Sequence, residues 1–216
     1  MNIVENYFNI KNEIKFFNEK VNLIAVTKGH NMDKIKLLLE LKHLDYGENK
    51  VQEAVIKWSK ILYNYSDINL HLLGRLQSNK AKEAFNIFNY IHTLDNEKLA
   101  KILSSLELNS DKKIKYFIQV NIGDEPQKNG IQSSLADEFI RYCKFDLKLN
   151  ILGLMCIPPI NTSSDTYFKK IKQLAEQNKL KELSIGMSND YVNAIKNGAT
   201  FVRIGNAIFG DRANKF

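Results

Sequence analysis

Lys28 is the residue whose position most strongly suggests covalent chemistry. It follows the apolar run at 23–26 and Thr27, a pattern typical of a buried strand and its end. Burial at such a strand end would lower the pKa of the amine, which could then attack an aldehyde and form a Schiff base. The alternative is a lysine whose stem packs against the strand while its ammonium group reaches water. The position alone leaves both interpretations open.

Two glycine-containing segments near the C-terminus could bind a phosphate. They are GMSND at 186–190, where Ser188 offers a hydroxyl, and RIGN at 203–206, where Gly205 lets the backbone approach a ligand. Ordinary turn chemistry would explain either glycine alone. A phosphate-binding pair of loops opposite an aldehyde-reactive Lys28 suggests pyridoxal 5′-phosphate (PLP) as the ligand.

The elements that must position these residues alternate regularly along the chain. Short apolar runs predict strands at 23–28, 43–47, 69–74, 90–94, 115–122, 149–157, 182–186 and 201–205. Amphipathic stretches predict helices at 2–19, after a cap at Asn31, and at 50–64, 79–88, 96–107, 132–144, 164–179 and 189–197. Eight strands, each followed by a helix except the last, predict an α/β fold: a single (β/α)8 TIM-type barrel over 1–216 with an extra N-terminal helix. The alternative is an open doubly wound sheet with fewer strands.

The composition restricts the partners and the compartment. The net charge is +7, from 31 Lys and Arg against 24 Asp and Glu, but the lysines are scattered and form no stacking platform with aromatic residues. We therefore expect no nucleic-acid partner. No segment is predicted to be a signal peptide, and no apolar run reaches the about 18 residues of a membrane helix. With only Cys143 and Cys156, both predicted to be buried, the sequence indicates a soluble cytoplasmic protein without a membrane partner.

Six motifs together resemble one known family. They are VTK at 26–28, YGENKVQE at 46–53, HLLGRLQSNK at 71–80, KNGIQ at 128–132, GMSND at 186–190 and FVRIGNAIFG at 201–210. In this order they are similar to the YggS/PROSC pyridoxal phosphate homeostasis proteins. The resemblance implies a monomeric PLP-binding barrel, related to the N-terminal domain of alanine racemase. It also implies a role in buffering PLP or delivering it to PLP-dependent apo-enzymes, without an established catalytic turnover.

The resemblance also implies roles for individual residues at the first strands and at the last. Lys28 matches the lysine that holds PLP as a Schiff base, and Asn49 matches a residue that lines the cofactor. Arg203 matches the arginine that faces the pyridine nitrogen. Lys128 matches a lysine close to the site, whose role the resemblance does not define.

The phosphate group would be bound by three further positions. Ser188 matches the phosphate-binding serine, and Gly205 and Asn206 match backbone contacts to the phosphate. Asn206 departs from the family, which usually has threonine there, so one hydroxyl contact is expected to be missing.

A PLP-dependent amino-acid racemase is the alternative function. Racemisation needs a second base on the other face of the cofactor, and in related racemases a tyrosine from an additional domain supplies it. The chain ends at Phe216, so no such domain is expected, and Tyr46, Tyr90 and Tyr191 are predicted to pack structurally. We therefore expect a binding protein and not an enzyme.

The remaining polar candidates are predicted to be structural. His71 and His92 lie inside predicted strands and are expected in the core, and the four histidines show no spacing typical of metal ligands. Glu48 and Glu53 could form an acid pair, but carboxylates on a helix surface are the commoner arrangement.

Overall fold

Eight parallel strands close into a barrel in the computed structural model, which describes residues 2–159 and 162–210. The strands are β1 (Asn22–Val26), β2 (Asp45–Glu48), β3 (Asn69–Leu72), β4 (Tyr90–Leu94), β5 (Lys115–Asn121), β6 (Ile131–Gln132), β7 (Ile151–Met155), β8 (Glu182–Met187) and β9 (Phe201–Ile204). Barrel strands pair with their neighbours in the chain, except that the short β6 lies beside β5 outside the ring, and β1 pairs with β9 to close it. The predicted TIM-type barrel is confirmed.

Helices connect the strands and surround the barrel. They are α1 (Ile3–Phe17), α2 (Met32–Glu40), α3 (Val51–Asn64), α4 (Ala81–Ile87), α5 (Glu97–Leu108), α6 (Ala136–Arg141), α7 (Ser164–Gln177), α8 (Tyr191–Lys196) and α9 (Asn206–Phe209). The helix predicted at the N-terminus is α1, and the predicted cap at Asn31 accepts a hydrogen bond from the Lys34 amide at 3.3 Å. No helix within 2–159 and 162–210 is long and apolar enough to cross a membrane.

Two elements differ from the sequence prediction. The last barrel strand is followed by the four-residue α9, which is too short to show a helical period in the sequence. The helix predicted at 132–144 begins later, because residues 131–132 form β6 and residues 133–135 form a single 3₁₀ turn. Beyond α6 the helix continues as a π-helical turn over Tyr142–Asp146.

The apolar side chains form two cores. The larger one lies between the barrel and the helices and includes the fully buried Trp58. The smaller one fills the inside of the barrel and contains Ile24, Val26, Leu73, Tyr90, Phe117, Met155 and Phe201. Because both faces of each strand are buried, the strands are almost continuously apolar in sequence. Because all barrel strands run in parallel, their C-terminal ends meet at one rim.

Candidate functional site

A cavity of about 650 Å³ opens at the C-terminal rim of the barrel. It is lined by all six residues that the sequence analysis selected: Lys28, Asn49, Ser188, Arg203, Gly205 and Asn206. They lie at or just after the C-terminal ends of four barrel strands, β1, β2, β8 and β9. The volume lies within the range of about 300–1,000 Å³ that is usual for small-molecule sites.

Hydrogen bonds to side chains hold the backbone on both sides of Lys28. The Thr27 carbonyl oxygen accepts a hydrogen bond from Lys57 Nζ at 2.8 Å, and the Gly29 amide donates to Glu53 Oε1 at 2.7 Å. The Thr27 hydroxyl donates to Glu48 Oε1 at 2.6 Å. The segment that carries Lys28 is therefore held by the end of β2 and by α3.

The anchoring groups form a buried ion cluster between β2 and α3. Glu48 Oε1 accepts from Lys57 Nζ at 2.8 Å and from Trp58 Nε1 at 3.0 Å, and the Glu48 side chain is fully buried. Lys57 also pairs with Glu53 Oε1 at 3.0 Å. The interpretation of Glu48 as a helix-surface carboxylate is wrong, because it is the last residue of β2 and faces inward onto α3.

Sequence reasoning did not identify Lys57 as part of this arrangement. A signal was present, since Lys57 lies four residues after Glu53 on α3, the spacing at which side chains on one helix face meet. The partner on β2 could not be recognised, because Glu48 reaches Lys57 only once the strand and the helix have packed. The second oxygen of Glu48 is buried and has no hydrogen-bond partner among the described residues.

Asn49 is positioned by a close approach of two loops. A Cβ atom added to Gly74 would lie 2.1 Å from the Asn49 carbonyl oxygen and 2.8 Å from its carbonyl carbon. Only glycine permits this distance, so the end of β3 presses directly against the residue that follows β2. The half-buried Asn49 is thereby kept at the cavity wall beside Lys28.

Next to the end of β1, the loops after β8 and β9 meet. The Ala207 amide lies 3.4 Å from Ser188 Oγ, which joins the two loops. Gly205 contributes only backbone to the cavity, and Asn206 next to it is exposed. A hydroxyl and backbone amides on adjacent loops are the groups that commonly bind a phosphate.

The loop after β8 is fixed before any ligand is bound. Gly186 has φ +90°, and a Cβ there would lie 2.6 Å from the Ala194 side chain on α8, so a larger residue is excluded. The Asp190 carboxylate accepts a hydrogen bond from the Met187 amide at 2.6 Å. The turn that presents Ser188 is thus held at both ends.

Arg203 is buried at the bottom of the cavity with neutral hydrogen-bond partners. One terminal nitrogen donates to the Ser184 hydroxyl at 2.8 Å and to the Ser184 carbonyl, and the other donates to the Cys156 carbonyl at 3.0 Å. Within the described part of the chain it forms no salt bridge. Burial lowers the pKa of Arg203 to about 10, so the guanidinium stays charged at neutral pH.

Lys128 lies next to the cavity without lining it. Its ammonium donates to the Pro158 carbonyl at 3.0 Å and pairs with Glu125 at 2.7 Å. Since Pro158 is a lining residue, Lys128 supports the cavity wall through the backbone.

The three tyrosines considered as a second base lie in packing contacts. Tyr46 packs against Trp58 with ring centroids 4.7 Å apart, and Tyr90 stacks on His71 at 4.2 Å inside the barrel. Tyr191 donates a hydrogen bond to Glu13 of α1. No tyrosine of the described chain lines the rim cavity.

His71 and His92 are fully buried inside the barrel, as predicted, and both cysteines are buried. Over residues 2–159 and 162–210, no group of three or more His, Cys, Asp or Glu side chains is arranged to hold a metal ion.

Comparison with known proteins places the chain among proteins of this architecture. The family model described as "Alanine racemase, N-terminal domain" matches residues 2–213. The pyridoxal phosphate homeostasis protein of Synechocystis sp. is 36% identical over 201 residues, which cover 89% of this chain and 92% of that protein. The structure of PipY from Synechococcus elongatus with PLP bound has a TM-score of 0.84 at 31% identity and covers 97% of this chain and 100% of that chain. The structure of PipY without PLP gives a TM-score of 0.87 at 32% identity, with the same coverage.

Proposed function

We propose that this chain, which belongs to the pyridoxal phosphate homeostasis proteins, binds PLP in the rim cavity and buffers or delivers it inside the cell. The observation that carries the proposal is that three kinds of group line the same cavity: the amine of Lys28, the two loops after β8 and β9 with groups suited to bind a phosphate, and the buried guanidinium of Arg203. PLP presents an aldehyde, a phosphate and a pyridine nitrogen, and when bound it supplies a reactive carbonyl carbon. The three kinds of protein group correspond to these three parts of the ligand.

Lys28 is the residue that would attach the ligand covalently. Its amine nitrogen would form a C=N bond to the aldehyde carbon, and the carbonyl oxygen would leave as water. The hydrogen bonds at the Thr27 carbonyl and the Gly29 amide limit the movement of the backbone, so the entropy lost on binding would come mainly from the Lys28 side chain.

Ser188, Gly205 and Asn206 would hold the phosphate on the other side of the cavity. The loop bearing Ser188 is already fixed by the constrained Gly186 and by the Asp190 carboxylate, so few groups need ordering when an anion binds. This part of the site does not depend on Lys28. We therefore expect phosphate-dependent binding to remain when the lysine is removed.

Arg203 would face the pyridine nitrogen. A guanidinium only donates hydrogen bonds and stays charged, so it keeps that nitrogen unprotonated. An unprotonated ring withdraws electrons less than a protonated one does, which disfavours carbanion chemistry. This supports storage and transfer of PLP over catalytic turnover.

Amino-acid racemisation is the second candidate, because the matched family model is that of the alanine racemase N-terminal domain. Racemisation requires a proton donor opposite Lys28. The three tyrosines considered for this role have other contacts: Tyr46 and Tyr90 pack against aromatic rings, and Tyr191 donates a hydrogen bond to Glu13. Loss of optical activity of alanine, or of another amino acid, in the presence of the PLP-loaded protein would favour this candidate.

Lys28→Ala tests the proposal, with Lys101→Ala as the matched control. Lys101 is an exposed lysine on α5 that pairs with the exposed Glu97 and lies over the Tyr142 ring, away from the rim cavity. We expect the wild type and the control to take up PLP, to absorb at the visible edge, and to retain a pyridoxyl group on Lys28 after borohydride reduction, as located by mass spectrometry. Lys28→Ala should lose the absorbance and the adduct. A wild type that takes up no PLP, or an adduct on another lysine, would overturn the proposal.

A further inference from the structure

A chain of hydrogen bonds runs through the inside of the barrel from Arg203 to the opposite rim. Arg203 donates to Ser184 Oγ at 2.8 Å, and Ser184 Oγ lies 2.8 Å from His92 Nδ1. His92 Nε2 lies 3.0 Å from His71 Nδ1, and His71 Nε2 lies 3.0 Å from Asp45 Oδ1. Asp45 begins β2, so its carboxylate lies at the N-terminal end of the barrel, away from the cavity.

The two ends of this chain fix the direction of its outer links. A guanidinium can only donate hydrogen bonds, and an ionised carboxylate can only accept them, so Ser184 accepts from Arg203 and His71 donates to Asp45 through Nε2. With both imidazoles neutral, the inner links follow: each histidine donates at Nε2 and accepts at Nδ1, and Ser184 donates to His92.

The surroundings favour this neutral state and this orientation. Burial lowers the pKa of both His71 and His92, which have fully buried side chains. Burial is the largest influence on the pKa of Asp45 and raises it, but the hydrogen bond from His71 and the smaller effects of the two neighbouring histidines and Asn69 together outweigh it, so the net pKa is lowered. Tyr90 stacks on His71 at 4.2 Å and Phe117 stacks on His92 at 4.3 Å, both at 15° between the ring planes.

We propose, on the basis of the function proposed above, that Ser184, His92, His71 and Asp45 are positioning residues that hold the Arg203 guanidinium at the cavity through this one-way chain. The Ser184 hydroxyl donates its hydrogen to His92, so its oxygen is left to accept a hydrogen bond from the Arg203 guanidinium. Two N–H groups of Arg203 are left without a partner among the described residues, and Arg203 lines the cavity. Through this chain, Asp45 at the N-terminal end of the barrel influences how tightly the ligand is bound.

The competing explanation is a set of independent buried hydrogen bonds that only stabilise the core. In that case, substitutions at the two ends of the chain act separately, because distant sites without shared partners have additive effects. Within residues 2–159 and 162–210, Asp45 and Ser184 share no hydrogen bond and are connected through the two histidines. Coupling between Asp45 and Ser184 therefore separates the two explanations.

The first experiment is ¹⁵N NMR of the histidine rings in the ligand-free wild-type protein at neutral pH. We expect His71 and His92 to be neutral and protonated on Nε2, assigned by comparison with His71→Gln and His92→Gln. A charged ring, or a proton on Nδ1 of either residue, would overturn the proposal. This result does not depend on whether the protein binds PLP, and it needs no variant beyond those used for assignment.

The second experiment measures the dissociation constant of PLP by absorbance titration for four variants: Ser184→Ala, Ser184→Thr, Asp45→Asn and the Ser184→Ala/Asp45→Asn double variant. We expect Ser184→Ala to weaken binding about tenfold, equivalent to one lost charge-assisted hydrogen bond, and Ser184→Thr to restore most of the affinity. Asp45→Asn keeps an acceptor for His71 but removes the charge, and it should weaken binding by about threefold. In the double variant the effect should stay close to that of Ser184→Ala alone.

Multiplicative effects of the two substitutions, or unchanged affinity in Ser184→Ala, would overturn the proposal. Both outcomes presuppose a wild type that binds PLP through Lys28. Absence of that binding is a failure of the proposed function, and it is recognised separately by the Lys28 experiment.

Discussion

The molecule carries two buried cations near the rim cavity, and they are compensated in different ways. Lys57, behind the Lys28 segment, has two carboxylates within 3.0 Å. Arg203, on the neighbouring strand β9, has among the described residues only hydroxyl and carbonyl partners within hydrogen-bond distance. The first region is an ion cluster, and the second is a set of neutral dipoles in which three residues of the hydrogen-bonded chain separate Arg203 from the carboxylate of Asp45.

The difference indicates two different tasks. In a buried ion cluster each charge depends on the others, so the cluster is rigid and intolerant of change, which suits a device that fixes the backbone beside Lys28. A guanidinium with no carboxylate in hydrogen-bond contact among the described residues keeps its charge available for a ligand. The cost is desolvation, which appears as the lowered pKa of Arg203. One cation would support the fold and the other would serve binding.

The largest expected effect concerns acid, because the fold buries three histidines whose pKa values are lowered. Burial lowers the pKa of His43, which accepts from Tyr7 and donates to the Asp45 carbonyl, to about 4. Above pH 6.5 both folded and unfolded states are neutral there. As the pH falls from 6.5 to 4 only the unfolded chain binds the proton, so His43 alone should remove about 3 kcal/mol from the free energy of unfolding.

Denaturant unfolding of the wild type and of His43→Gln between pH 7 and pH 4 measures this effect. His71 and His92 have lowered pKa values and should act in the same direction. The variant should therefore show a shallower pH dependence that does not vanish. Equal slopes for both proteins would mean that His43 has the same pKa in the folded and the unfolded state.

The next effect is on the ion cluster. Glu48→Gln removes a fully buried charge from Lys57 and leaves it with the partly exposed Glu53. We expect a loss of about 3 kcal/mol in the free energy of unfolding, since breaking a buried ion pair leaves its partner uncompensated. Chemical denaturation at neutral pH measures it.

The control for the ion cluster is Glu97→Gln, which breaks an exposed pair with Lys101 on α5. That change should cost less than about 1 kcal/mol, because solvent screens the pair. If the Glu48→Gln variant were as stable as this control, Lys57 would not depend on the Glu48 carboxylate for its charge compensation.

The alternation of strands and helices was sufficient to predict the barrel, because each strand is buried on both faces and each helix on one. The six site residues could be selected because they follow strand ends, where a parallel barrel gathers them, and because their motifs are specific. The ion cluster and the histidine chain could not be predicted in the same way. His92 meets Ser184 across 92 residues of sequence, and such a contact exists only after the ring has closed.

A smaller effect on stability is expected at the second cation. Arg203→Met removes a charge whose partners are neutral, so no opposite charge is left buried. The carbonyls of Ser184 and Cys156 lose a donor, and we expect a cost of about 1–2 kcal/mol, below that of Glu48→Gln. PLP affinity should fall more strongly than stability. Denaturation and absorbance titration of the same preparation give both numbers, and a stability loss greater than that of Glu48→Gln would show that Arg203 is the more strongly compensated cation.

The smallest effect is expected at the exposed rim on the Arg203 side, where Asn206 lines the cavity. Asn206→Thr introduces the hydroxyl that the resemblance to the family leads us to expect at this position, while the backbone of Gly205 and of position 206 stays in place. One added hydrogen bond to the phosphate should raise PLP affinity by about threefold, and stability should change by less than about 0.5 kcal/mol because the side chain is exposed. Absorbance titration with PLP, and with inorganic phosphate as competitor, measures the gain. A loss of affinity would mean that the amide of Asn206 itself contacts the ligand, and that the loops after β8 and β9 bind the phosphate through a side chain as well as through backbone.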